Sequence, residues 1–223
     1  MKIVIGCRHG EAYKNLKNLY GGNGSGLTDI GRSQVLFVSN ELKTLLSGKP
    51  IHIFRSCERG QVTETAEIMS SVLEAPTVYS HPLFSPIKLG VFDSLSREDQ
   101  LRLYPEACKA HEAWEKGEID ISESEKLVDG MQPALDYYDQ IKRFIDILPD
   151  NQTYILVGTR SDISCLKNVM LNQRPDKNMS YKYYKLNYAE AVVGLFDKEK
   201  GTKLVEIDTL NPAKKAKESE MAL

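Results

Sequence analysis

Nowhere in these 223 residues do eighteen apolar side chains run together, and no basic stretch leads into an apolar one at the N-terminus. Neither membrane insertion nor export is therefore expected, and the cytoplasm is the default location. An excess of positive charge is also missing: 29 Lys and Arg stand against 31 Asp and Glu, a formal net charge of −2. That balance argues against a general nucleic-acid surface while leaving room for local basic patches that hold small anions. Cysteine is scarce. The four, at positions 7, 57, 108 and 165, lack the paired spacing of a zinc site and read as reduced and structural. His9, His52, His81 and His111 are isolated, with no two at the helical spacing of a metal face, so no metal and no cofactor are expected. Internal repeats and low-complexity linkers are absent too, and 41% apolar composition suits one domain able to bury a full core. The expected division is a single domain over 1–208 and a charged, mobile tail over 209–223, where "NPAKKAKESEMAL" has no sustained apolar face.

What is present alternates between strand-like and helix-like segments. Ile3 to Cys7 reads as a buried strand, Ser33 to Leu46 as an amphipathic helix and Ile51 to Phe54 as a second strand. "SCERGQVTETAEIMSSVL" follows as a helix whose apolar face takes Val62, Ile68, Met69 and Val72. Ser96 to Glu118 is helical and polar, a lid or side layer rather than core, and 130–148 is a long helix ending at Pro149. "TYILVGT", residues 153–159, repeats the opening theme of an apolar strand running into charge, here Arg160; Ser161 or Asp162 can cap the helix that follows. "AEAVVGLFDKEKGTKLVEID" reads as a hairpin turning near Lys200 and Gly201. The tyrosine-rich "MSYKYYKLNY", residues 179–188, fits either an edge strand with half-buried rings or a partner surface, for which a homodimer is one form. The alternation predicts a three-layer α/β/α domain with a mainly parallel sheet.

Two phosphate-handling motifs can be set aside. "GGNGSG" at 21–26 has the glycines of a phosphate loop but no Lys followed by Ser or Thr, and no apolar strand runs into it. A cysteine phosphatase needs arginine six positions after its nucleophile, and those positions hold Tyr13, Thr63, Trp114 and Leu171.

"CRHGEAYKN", with Arg8, His9, Gly10 and then Asn15 six residues beyond the histidine, resembles the signature of the histidine phosphatase superfamily, which includes the phosphoglycerate mutases. "GLTDIGRSQ" resembles that family's helix start, and "FRSCERGQVTETAEI" the segment carrying a second arginine, here Arg59, with Thr63 four residues on. "LGVFDSL", "YPEACKAHEAW" and "KLNYAEAVVGLFD" look like its middle and late sections, so the resemblance runs in order from about residue 2 to 208. It implies a phosphoglycerate mutase-like α/β/α fold and a metal-independent chemistry in which neutral His9 attacks phosphorus to give a phosphohistidine. Arg8 and Arg59 would clamp the phosphoryl oxygens, with Asn15 and the Gly21 or Gly22 amide completing the cradle.

The sequence also departs from that pattern. The second histidine that the resemblance implies after "ILVGT" is replaced by Arg160, a permanent cation that can hold phosphoryl oxygens but cannot exchange protons. The usual acid position, four residues before Gly90, holds Pro86. The nearest candidate acids are Asp93 and Asp162; without one, leaving groups such as aryl or enol phosphates are favoured. The expected function is a phosphomonoesterase with an atypical site, acting on a small phosphorylated metabolite. The alternative is an impaired relative that binds a phosphorylated ligand, inorganic phosphate or a protein partner, and mutase activity ranks third.

Overall fold

The computed structural model describes residues 1–16, 24–46, 49–176, 178–197 and 201–203. Gly21, Gly22, Lys200 and the 209–223 tail lie outside the described residues. Among the described residues, six strands form one sheet in the order β3-β2-β4-β1-β5-β6: β1 Lys2–Arg8, β2 Ile51–Arg55, β3 Val78–Ser80, β4 Thr153–Gly158, β5 Ala191–Asp197 and β6 Gly201–Lys203. β1 to β4 pair in parallel, and β5 and β6 are added antiparallel, so the mainly parallel expectation holds. The helices are α1 Tyr13–Leu16, α2 Asp29–Leu45, α3 Gly60–Val72, α4 Arg97–Leu103, α5 Pro105–Lys116, α6 Ile121–Glu125, α7 Ala134–Ile147 and α8 Arg160–Met170. None is long and apolar enough to cross a membrane.

Strand alternation sorts the core into two layers. Ile5, Cys7, Ile155 and Val157 pack with Val35, Val38 and Leu42 of α2 and Val62 and Met69 of α3. Val4, Tyr154 and Leu156 point the other way, onto Tyr137, Ile141 and Phe144 of α7 and Ile163 and Leu166 of α8. Each large side chain buried here contributes about 1.5–3 kcal/mol. α8 lies so close over β1 that a Cβ on Gly6 would sit 2.5 Å from Leu166 Cδ2.

Three expectations need correction. The buried face of α3 includes Gln61, Thr65 and Ala66 beside the expected Val62 and Met69, whereas Ile68 packs partly buried against that core and Val72 is only partly buried; Thr65 Oγ1 accepts from Gly10 N at 3.3 Å. Trp114 of α5 is in the main core, so the middle section is more than a side layer. Residues 179–188 form no strand. Asn168 of α8 offers both halves of its amide to the Lys182 backbone, at 2.8 and 2.9 Å, and Ser164 Oγ accepts from Tyr184 N at 3.1 Å. Those side-chain bonds replace a ladder, and they seat Tyr181 in the core and Tyr183 against it.

Candidate active site

β1 and β4 are adjacent, with Arg8 opposite Gly158, so the two charged segments that follow them emerge side by side at the carboxyl edge of the sheet. Open parallel sheets put ligands there. His9 is gripped by its backbone: its N–H donates to Gly158 O at 3.0 Å and its carbonyl accepts from Ala189 N at 3.2 Å. The next residue is tied to the helix layer, where a Cβ on Gly10 would lie 2.5 Å from Gly31 O, which accounts for glycine after the histidine. The imidazole is 3% exposed, and its Nδ1 is 2.7 Å from Gly10 O. A carbonyl only accepts, so Nδ1 carries the proton and Nε2 keeps the lone pair. Burial first, then the charges of Arg8, Lys14 and Arg160, push the His9 pKa down to about 3, against a raising contribution from the Gly10 carbonyl. The ring is neutral at physiological pH.

A cavity of about 410 Å³ opens in front of it, lined among others by Arg8, His9, Asn15, Arg59, Arg160 and Lys14. Arg8 is 4% exposed; its Nη1 donates to Leu186 O at 2.6 Å and its guanidinium lies 4.0 Å over the Tyr188 ring. Burial, then the neighbouring Arg160, lowers its pKa to about 10. Arg59 is the N-cap residue of α3 and makes no side-chain cap bond, leaving its guanidinium in the cavity wall, 4.0 Å from Asp93. Asn15 uses its Oδ1 to accept from Ala12 N at 3.1 Å, so its amide nitrogen is the remaining polar group. Arg160 donates to Tyr183 Oη at 2.8 Å from the first turn of α8.

The candidate acids separate. Asp93 is half-exposed on the rim, outside the cavity lining, beside Arg59. Asp162 is fully buried and not in the lining; its Oδ1 accepts from Tyr137 Oη at 2.9 Å and its Oδ2 from Thr159 N at 2.7 Å. It is the third residue of a capping box whose N-cap is Thr159, correcting the expectation that Ser161 or Asp162 is the N-cap of α8. Pro86 is half-buried and also outside the lining.

Four groups in the wall went unread in the sequence: Lys14, Arg97, and the pair of His111 and Glu115, whose Nε2 and Oε1 are 3.5 Å apart. His111 holds the Glu115 carboxyl below its ordinary range. The i,i+4 spacing of His111 and Glu115 was the available signal; nothing local placed α5 over the sheet edge. Among the described residues no group of three or more His, Cys, Asp or Glu is disposed to hold a metal.

A buried neutral histidine ringed by guanidiniums at a parallel sheet edge agrees with the match of a family model, that of the histidine phosphatase superfamily (branch 1), over residues 4–154. The chain belongs to that superfamily. Among solved structures, this superfamily member is similar to Bacillus stearothermophilus YhfR, with 15% identity, 92% of this chain and 96% of that one covered, and a TM-score of 0.76. A mycobacterial glucosyl-3-phosphoglycerate phosphatase, solved with VO3, matches at 15% identity over 95% and 99% of the two chains, with a TM-score of 0.73. The Entamoeba histolytica phosphoserine phosphatase, solved with 3-phosphoglyceric acid, matches at 17% over 92% and 96%, with a TM-score of 0.70. At such identities the likeness is one of fold. No curated protein matches by sequence.

Proposed function

We propose that this histidine phosphatase is a metal-independent phosphomonoesterase that works through a phosphohistidine on His9. The observation that carries the reading is the 2.7 Å contact of Nδ1 with Gly10 O, which leaves Nε2 as the nucleophilic nitrogen of a neutral ring. The structural neighbours named as phosphatases for phosphorylated small molecules support it. In the reaction, Nε2 attacks phosphorus, the ester oxygen leaves, and water then releases inorganic phosphate from the histidine. Negative charge gathers on the equatorial oxygens as phosphorus is transferred, and Arg8, Arg59 and Arg160, which line the cavity with His9, are proposed to hold it, with Asn15 as a neutral donor. Gly21 and Gly22 are proposed as amide donors to the same oxygens.

Arg160 stands where the family carries a histidine, and Pro86 where it carries an acid, so the leaving oxygen takes its proton from Asp93 on the rim or departs unprotonated. The second reading, a binder of phosphorylated ligands, is favoured by Asp162 being fully committed to α8 and Tyr137. Turnover of an aryl phosphate in the presence of chelator separates the two. The hydrolase reading expects release of phosphate that His9→Ala lowers by about three or more orders of magnitude; undiminished turnover in that variant contradicts it.

A further inference from the structure

The ester oxygen leaves phosphorus with an electron pair, and it needs a proton unless its alcohol is strongly acidic. Pro86 has none to give. Among the described residues, the imidazole and carboxyl groups that line the cavity are those of His9, His111, Glu112 and Glu115. His9 is the neutral nucleophile, its one ring proton turned to Gly10 O. Glu112 accepts a charge-assisted bond from Arg97 Nη2, and His111 holds the Glu115 carboxyl below its ordinary range. The group that remains is the His111 imidazole.

That ring is fixed by its neighbours on α5 and beyond. Trp114 seats the helix in the main core, where it stacks on Tyr181 with ring centroids 6.2 Å apart. His111 lies three residues before Trp114, 5.0 Å from it between centroids, and meets the Tyr183 ring edge-on at 6.4 Å. Glu115 follows on the next turn, with Oε1 3.5 Å from His111 Nε2. A carboxylate only accepts, so Nε2 keeps its proton and Nδ1 is the nitrogen that gains and loses one. Tyr183 also joins this pair to the wall beside His9, because its hydroxyl accepts from Arg160 Nη1 at 2.8 Å. His111 and Glu115 are each about a quarter exposed, at 26% and 27%, so the pair is ordered yet open to the cavity.

We propose that His111 is the proton donor to the leaving oxygen, with Glu115 as its positioning residue. Protonated Nδ1 of His111 gives its proton to the ester oxygen as the P–O bond breaks and the bond from His9 Nε2 to phosphorus forms. In the second step neutral Nδ1 takes a proton from the water that attacks phosphorus; phosphate leaves, and His9 recovers its lone pair. The two steps return His111 to its starting state. This deepens the phosphohistidine reading and rests on it.

Two esters of similar size test it by steady-state kinetics. Dinitrophenolate leaves without a proton, whereas the oxygen of benzyl alcohol does not. The wild type is expected to hydrolyse both dinitrophenyl phosphate and benzyl phosphate. His111→Gln is expected to raise the ratio of kcat/KM on the dinitrophenyl ester to that on the benzyl ester about a hundredfold, the scale of a lost general acid, and Glu115→Gln about tenfold. A purely structural role slows both esters alike and leaves the ratio unchanged. If His111→Gln does not fold, Glu115→Gln, which keeps the side-chain shape, reads the same ratio. A ratio within about threefold of wild type in the folded variants overturns the proposal, as does a rise in Asp93→Asn or Lys14→Met in their place, or a wild type that turns over only the dinitrophenyl ester. Each of those results leaves the phosphohistidine on His9 standing. No turnover of either ester, with no adduct on His9, overturns both.

Discussion

At the scale of the residue, two arginines differ in what holds them. Arg59 occupies an N-cap position and bonds the helix only through its backbone, so truncating its side chain deprives α3 of no cap bond. Arg59→Ala is expected to lower turnover about a hundredfold or more, the scale of losing one transition-state donor, while the melting temperature stays within about two degrees. Stopped-assay kinetics beside thermal denaturation decide between this and a structural role. Arg160 is bonded to Tyr183 and lines the cavity in front of His9. Arg160→His is expected to raise hydrolysis if that position alone limits catalysis; an unchanged rate with weaker phosphate binding places the defect at the missing acid. Arg8, His9, Asn15, Arg59 and Arg160, which all line the cavity, were named from the sequence through its family resemblance and the twice-repeated theme of an apolar strand running into charge. Lys14, Arg97, His111 and Glu115 were not, since only tertiary packing carries α1, α4 and α5 to the same wall.

At the scale of the element, α8 depends on its capping box. Asp162→Ala removes the acceptor of both Thr159 N and the buried Tyr137 hydroxyl, and about 2–4 kcal/mol of stability is expected to go with it. Asp162→Asn keeps one acceptor oxygen, and its turnover at a temperature well below melting is expected within about threefold of wild type. A thousandfold fall in a folded Asn variant restores Asp162 as the proton donor. The sequence marked where α8 begins but assigned the cap to Ser161 or Asp162, two or three residues past Thr159. Thr159 ends an apolar strand and looks like its last residue; only the direction of Asp162, turned back to the Thr159 amide, makes it the cap. In the same way, 179–188 has the aromatic look of a strand edge but forms no strand, and Asn168 and Ser164 bond its backbone instead. β1 and β4 were read within one or two residues because both are buried on both faces, which leaves an uninterrupted apolar run.

At the scale of the whole molecule, the neutral His9 links folding to pH. Its pKa falls from 6.5 to about 3 on folding, so the unfolded chain binds a proton that the folded chain excludes, and stability declines as pH drops below about 6.5. Between pH 6.5 and 5 the loss from this group is on the order of 2 kcal/mol, and urea denaturation of His9→Asn is expected to show a flatter limb over that interval. Turnover, in contrast, keeps its nucleophile through the same range, so any acid limb in kcat/KM there belongs to another group. The fold that produces this situation is the superfamily's: two strands end together, one delivers the histidine, and the loops and α5 close a cationic cavity over it. The central claim is that Nε2 of His9 carries the phosphoryl group. Rapid quench of the protein with an aryl phosphate donor, followed by intact-mass and acid-lability measurement, tests it most directly. A single phosphoryl group on His9, lost in acid, stable in alkali and absent from His9→Ala, is the predicted result; turnover with no such adduct, or an adduct that survives in His9→Ala, contradicts it.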